Sequence, residues 1–123
     1  MINHEPIIVV VDPDEDRATA LSSQLDRRGF HVIRRSSGID ALECVVEYRP
    51  DLVLSESELL DLGGSELLYS IHEASPTTRV LFVERKGSNP WLSKEMEHPF
   101  QEQDVRPESA ADIALKIDQL LER

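Results

Sequence analysis

The chain has 123 residues, the size of one compact domain, and its 40% hydrophobic and 30% charged residues describe an ordinary folded protein, not a disordered tail or a disulfide scaffold. Thirteen basic against 24 acidic residues leave a formal charge of −11, a surface that repels phosphate backbones and anionic lipid, so no direct contact with nucleic acid or membrane is expected. No apolar run approaches the roughly 20 residues that span a bilayer. Residues 1–6 carry no basic n-region, and the one cysteine, Cys44, has no internal partner, so a reducing, cytoplasmic compartment is expected.

Strand-length apolar runs alternate with helical periodicity along the whole chain, the pattern of a single α/β domain over residues 1–123. The run from Ile7 to Val11 is continuous and β-branched, as a central parallel strand buried on both faces requires. Ala18, Leu21 and Leu25 then recur at helical spacing from about Asp14 to Arg28, and Gly29 ends that helix. A second strand runs from Phe30 to Arg34. Ser37 and Asp40 read as a capping box for a helix whose stripe is Ala41, Leu42, Val45 and Val46 and which must stop before Pro50. Leu52 to Leu54 form a third strand, and Gly63 and Gly64 lead into a helix with Leu67, Leu68 and Ile71 on one face. The fourth strand spans Val80 to Val83. A short helix follows, capped by Ser88 or Asn89, with Pro90 at its first position and Pro99 at its end. Asp104 to Arg106 is the available fifth strand. Ser109 and Asp112 cap a last helix lined by Ile113, Ile117, Leu120 and Leu121.

Right-handed crossovers between five parallel strands put every strand C-terminus on one edge, where open α/β folds place their sites. Asp12 follows the first strand, Ser55 and Glu56 the third, Glu84 the fourth, and Arg106 ends the fifth. Three carboxylates and one guanidinium are thus expected to converge. The four histidines add no ligand pair: His4, His31, His72 and His98 have no metal spacing.

Residues 6 to 123 resemble the receiver domain of bacterial response regulators, the CheY-like fold. Residues 26–30 (Asp-Arg-Arg-Gly-Phe), the Ala41-Leu42-Glu43 stretch, residues 49–54 (Arg-Pro-Asp-Leu-Val-Leu) and residues 63–68 (Gly-Gly-Ser-Glu-Leu-Leu) carry the likeness. The resemblance implies a three-layer α/β/α domain with a five-stranded parallel sheet in the order 2-1-3-4-5. It also implies a site that this chain has altered. The family holds Mg²⁺ with two adjacent acids; Asp12 matches the first, and Pro13 stands at the second. Glu56 stands at the phosphoacceptor Asp, and Glu84 at the Thr or Ser that follows the phosphoryl group. Arg106, before Pro107, matches the Lys that precedes a proline. The switch aromatic aligns with Gln103. His98-Pro99-Phe100 imitates the Lys-Pro-Phe signature but leaves too little chain for the helix before it.

Each change has a chemical meaning. Octahedral Mg²⁺ is usually held by two acids with waters, and only Asp12 and Glu56 remain to hold it, so no metal and no cofactor are expected. Glu56 is one methylene longer than Asp, and a displacement of about 1 Å can cost about 100-fold in rate. Its carboxylate is either a built-in substitute for a phosphoryl group or the product of drift. Like charges about 4 Å apart repel by about 4 kcal/mol at an effective dielectric near 20, and Arg106 is the cation expected to offset them by pairing directly with Glu56, with Glu84 turned outward or partly protonated. Trp91, Leu92 and Met96 cannot all face one way on a helix of two turns; with Gln103 they mark the expected partner face.

The expected function is therefore a receiver-like signalling module of a two-component or phosphorelay system that is not an enzyme. It would act through contacts with a protein partner: an effector domain, a kinase or a second copy in a homodimer. Two alternatives stand beside it. One is a receiver with residual phosphorylation. The other is a phosphatase like the haloacid dehalogenases, suggested by Asp12-Pro13-Asp14, although Asp16 occupies a position where that family places Thr or Val.

Overall fold

The computed structural model describes residues 5–56, 59–83 and 110–121. Within them lie β1 (Ile7–Val11), α1 (Glu15–Arg27), β2 (His31–Arg35), α2 (Gly38–Tyr48), β3 (Leu52–Glu56), α3 (Gly64–Ala74), β4 (Arg79–Val83) and α4 (Ala110–Leu120). The four strands are parallel and ordered β2-β1-β3-β4, so β1 and β3 are central. This is the first four-fifths of the expected order. The fifth strand at Asp104 to Arg106, the short helix from Ser88 to Pro99 and the Ser109 cap lie outside the described residues.

Alternation along each strand divides the core into two layers. Ile8 and Val10 of β1, Leu52 and Leu54 of β3, and Leu81 and Val83 of β4 face α1 and α4, meeting Leu21, Leu25, Ile113 and Ile117. Val9, Val11, Val53, Val80 and Phe82 face the other way onto α2 and α3, against Ala41, Val45, Leu67 and Ile71. The unbroken apolar runs of β1 and β4 follow from this: a strand covered on both faces has no solvent side to keep polar. Cys44 belongs to the α2 layer, and burial pushes its thiol pKa up.

The helix ends explain how the chain turns. Gly29 sits at φ 86°, and its N–H and that of Phe30 return to the carbonyls of Asp26 and Leu25, a Schellman closure of α1. Phe30 and Leu25 are buried together, so the same turn that ends the helix launches β2 into the core. The ends of α2 lie where the sequence places them, with partners that the sequence does not show. Ser37 does accept from the Asp40 N–H at 3.2 Å, while the carboxylate of Asp61, far along the chain, accepts from Gly38 and Ile39 at 2.9 Å each. Three orphan donors of α2 are satisfied in this way. At the other end Arg49 closes the helix in the left-handed region at φ 45°.

A side chain in that conformation costs roughly 1–2 kcal/mol, and glycine relieves it at the expense of about 0.5–1 kcal/mol of extra unfolded-state entropy. Arg49→Gly is therefore expected to stabilise the domain by up to about 1 kcal/mol, read as a rise in the urea midpoint at constant slope; a loss of stability would mean that Arg49 makes a compensating contact.

Candidate functional site

The site forms at the C-terminal edge of the sheet, where β1 passes into Asp12 and β3 ends in Glu56. Both residues are buried, Asp12 at 5% and Glu56 at 2% exposure. Both stand at the strand ends expected from the sequence. The group between them was not expected. Arg17, in the first turn of α1, is 5% exposed. Its guanidinium grips Asp12 with two donors: Nη2 donates to Oδ1 at 2.8 Å, and Nε donates to Oδ2. The same Nη2 lies 3.1 Å from Oε2 of Glu56.

Local structure explains how Arg17 arrives. Asp14 is the N-cap of α1; its carboxylate accepts the Arg17 N–H at 3.1 Å, which fixes the first turn. Its own N–H donates to Oδ1 of Asp12 at 2.9 Å, folding the chain back over the strand end. Helical side chains tilt toward the N-terminus, so a residue in the first turn reaches back across the end of β1. A cation there opposes the helix dipole. The paired carboxylates offset that cost, and they hold the guanidinium pKa above its ordinary value. The hydrogen bond to Asp12 contributes most; the nearby charges of Asp12, Glu56 and Asp14 act in the same direction, and burial acts against them.

Arg17 stands between Asp12 and Glu56, a cation that the sequence reading did not place there; the expected pairing of Arg106 with Glu56 lies outside the described residues. Arg106, Pro107, Glu84 and Gln103 lie outside the described residues, as do Trp91, Leu92 and Met96. A signal for Arg17 was present in the sequence. It precedes Leu21 and Leu25 at steps of four, which puts a charged residue on the buried stripe of α1 and demands a buried partner.

Asp14 serves as a helix cap, a role unlike that of the second acid in the phosphatase motif. Beside the cluster an open cleft of about 370 Å³ is lined by Asp12, Pro13, Glu15, Arg34, Arg35, Ser36 and Asp40. The residues around Asp12 do not fit a divalent cation. Pro13 supplies no side-chain donor, both Asp12 oxygens are already accepting hydrogen bonds, and a fixed positive charge lies between the two carboxylates. Among the described residues no three His, Cys, Asp or Glu side chains gather as a ligand set.

A second device ties residues 61 and 62, which follow β3, to the start of α2. Asp61 bridges to the N-terminus of α2, and a Cβ on Gly38 would come within 2.8 Å of the Leu62 side chain. The loop after β3 is thus tied to α2 at two points.

Comparison with known proteins gives the family and the fold. Residues 8–115 match the model of the response regulator receiver domain, and the chain belongs to that family. It is 28% identical over 87 residues to the regulatory protein LuxO of Vibrio cholerae, an alignment covering 71% of this chain and 19% of that protein. It is 30% identical over 80 residues to the transcriptional regulatory protein AfsQ1 of Streptomyces coelicolor, covering 65% of this chain and 36% of that one. The chain therefore aligns with only a minor part of these relatives. The signal receiver domain of an HD domain-containing protein from Pseudomonas fluorescens superposes with a TM-score of 0.83 at 23% identity, over 97% of this chain and 96% of that one. A CheY-like receiver domain protein from Methanospirillum hungatei gives 0.80 at 22%, over 97% and 95%. These structural likenesses speak for the fold. Among the described residues no helix is long and apolar enough to cross a membrane.

Two measurements test the site. Removing one member of a buried ion pair typically costs about 3–5 kcal/mol, because the remaining charges are left buried and unmatched. Arg17→Met is expected to destabilise the domain by about that amount, and a double-mutant cycle with Asp12→Asn should show strong coupling; a loss below about 1 kcal/mol would put Arg17 among exposed surface pairs.

The second concerns Asp61, whose carboxyl is held below its ordinary pKa by the Gly38 and Ile39 N–H groups. A depressed folded-state value contributes stability above the unfolded pKa of about 3.9, and that contribution is lost as pH falls through the folded value. Stability of Asp61→Asn should accordingly fall less steeply on acidification than that of the wild type. Carbon-detected NMR titration should place the Asp61 pKa below the free-aspartate value; a value at or above it would remove the proposed cap.

Proposed function

We propose that this domain is a receiver that signals through protein contacts and does not exchange a phosphoryl group at the end of β3. One observation carries the reading: the residue at that position is Glu56, buried to 2% exposure, with its carboxylate facing the Arg17 guanidinium at 3.1 Å. A carboxylate nucleophile must reach the donor phosphorus in line and accept a large charge. Here the carboxylate is displaced by one methylene, is removed from solvent and already faces a cation. Its negative charge stands where a phosphorylated receiver would carry nearly two.

The family supports the rest of the reading. LuxO and AfsQ1 are regulatory proteins by name, and this chain aligns with less than two-fifths of either. By analogy the domain works as a docking module toward an effector domain, a kinase or a second copy. It does so without a phosphoryl on-off cycle and without enzymatic turnover. The acidic surface, at −11 overall, suits a protein partner better than nucleic acid or a lipid surface.

Incubation with acetyl phosphate and Mg²⁺, followed by intact-mass spectrometry, should give no phosphorylated species, and beryllofluoride should leave the amide spectrum unchanged. A single phosphate on Glu56 or Asp12 would overturn the reading and return the domain to the phosphorylated receivers. Hydrolysis of a generic phosphomonoester would instead make it a phosphatase.

A further inference from the structure

We infer that Arg17 is a tethered replacement for the divalent cation of the acid pocket, and that its presence makes the pocket refuse such an ion. The inference deepens the functional reading above and rests on it only in taking this edge of the sheet as the signalling pocket.

Two buried carboxylates from β1 and β3 need a cation between them. Arg17 supplies one from within the chain, with Nε and Nη2 on the two oxygens of Asp12 and Nη2 also 3.1 Å from Glu56. The guanidinium spans the ends of the two central strands, as a shared metal ion would. It differs from a metal in three respects. It cannot diffuse away, so its local concentration is fixed by the fold. It carries one positive charge where a divalent ion carries two. It offers donors and no open coordination position, so nothing else can be ligated through it. An incoming divalent ion would have to expel the guanidinium from a site where it is 5% exposed and where both Asp12 oxygens are in use. Pro13 offers no side-chain ligand to offset that loss.

Two consequences follow for the molecule. The conformation at the ends of β1 and β3 is set by the polypeptide and is independent of ambient Mg²⁺. Arg17 also becomes the residue that determines cation specificity: without it, Asp12 loses both guanidinium donors and Glu56 loses the charge 3.1 Å from it, which opens these acids to a divalent counterion.

The test uses Mn²⁺ as a paramagnetic probe on the full chain. In the wild type, amide signals of Asp12, Asp14, Ser55 and Glu56 should broaden no more than those of scattered surface acids. The Arg17 Nε–H signal should be visible, slow to exchange and unmoved by Mg²⁺. In Arg17→Met the same four amides should broaden selectively, with Mn²⁺ binding tightened by about tenfold or more on removal of the opposing charge. Mg²⁺ should raise the melting temperature of that variant and leave the wild type unchanged. Arg17→Lys, which keeps a charge but loses the fork, should bind Mn²⁺ more weakly than Arg17→Met.

Selective broadening in the wild type, or displacement of its Arg17 signal by Mg²⁺, overturns the inference, and so does an Arg17→Met variant that folds but gains no selective binding. If Arg17→Met folds only when Mg²⁺ is added, that rescue supports it. If the variant stays unfolded with Mg²⁺, the wild-type spectra and Arg17→Lys decide in the same terms. The two readings fail separately. Phosphoryl uptake without selective Mn²⁺ binding removes the proposed function and leaves this inference, whereas selective wild-type binding without uptake removes this inference and leaves the proposed function.

Discussion

The buried ion cluster of Asp12, Arg17 and Glu56 is the constraint around which the functional edge is organised. Burying two carboxylates is expensive unless they are paired and hydrogen-bonded. Arg17 meets that requirement for Asp12 with a flat, forked guanidinium that fits it with two parallel donors, and it places the same Nη2 3.1 Å from Glu56. A lysine ammonium at the same place would be a point charge with no such directional match. The cluster links three elements, β1, α1 and β3, so its integrity is also a statement about how α1 seats on the sheet.

The rest of the edge is arranged consistently with that cluster. Asp14 turns the chain over Asp12 and caps α1 in the same movement. Residues 61 and 62 are held to α2 by Asp61 on its first amides and by the close approach of Leu62 to Gly38. At the opposite edge of the sheet, Asp51 receives the Ile7 N–H at 2.8 Å, while Thr78 donates to the Pro50 carbonyl and shares a hydrogen bond with Ser75. That edge uses its polar groups to fix strand starts, and the site edge uses them to hold charge. Members of one fold family can thus differ in chemistry while sharing the scaffold, because the scaffold's requirements and the site's requirements fall on different residues.

Arg28 and Asp118 show the ordinary kind of charge pair for contrast. Their 2.7 Å contact joins α1 to α4, with the arginine side chain 34% exposed. Solvent screens such a pair, and pairs of its type are worth about 0–1 kcal/mol. Arg17 differs by its burial and by serving two acids.

By itself the sequence determined the alternation of elements, the doubly covered character of β1, the glycine closure of α1 after Arg28 and the placement of Asp12 and Glu56 at strand ends. All of these are local: they depend on side-chain period, on residues that favour or forbid a conformation, and on the rule that parallel strands share one functional edge. Only the tertiary structure decided which cation stands between those acids, and that Asp61 caps a helix some twenty residues earlier in the chain. Such pairings depend on where separate elements come together in space. Arg17 lies five residues from Asp12 but thirty-nine from Glu56, and Asp61 lies twenty-three from Gly38. A chain read in order shows which residues carry charge; three-dimensional packing decides which of those charges are buried together.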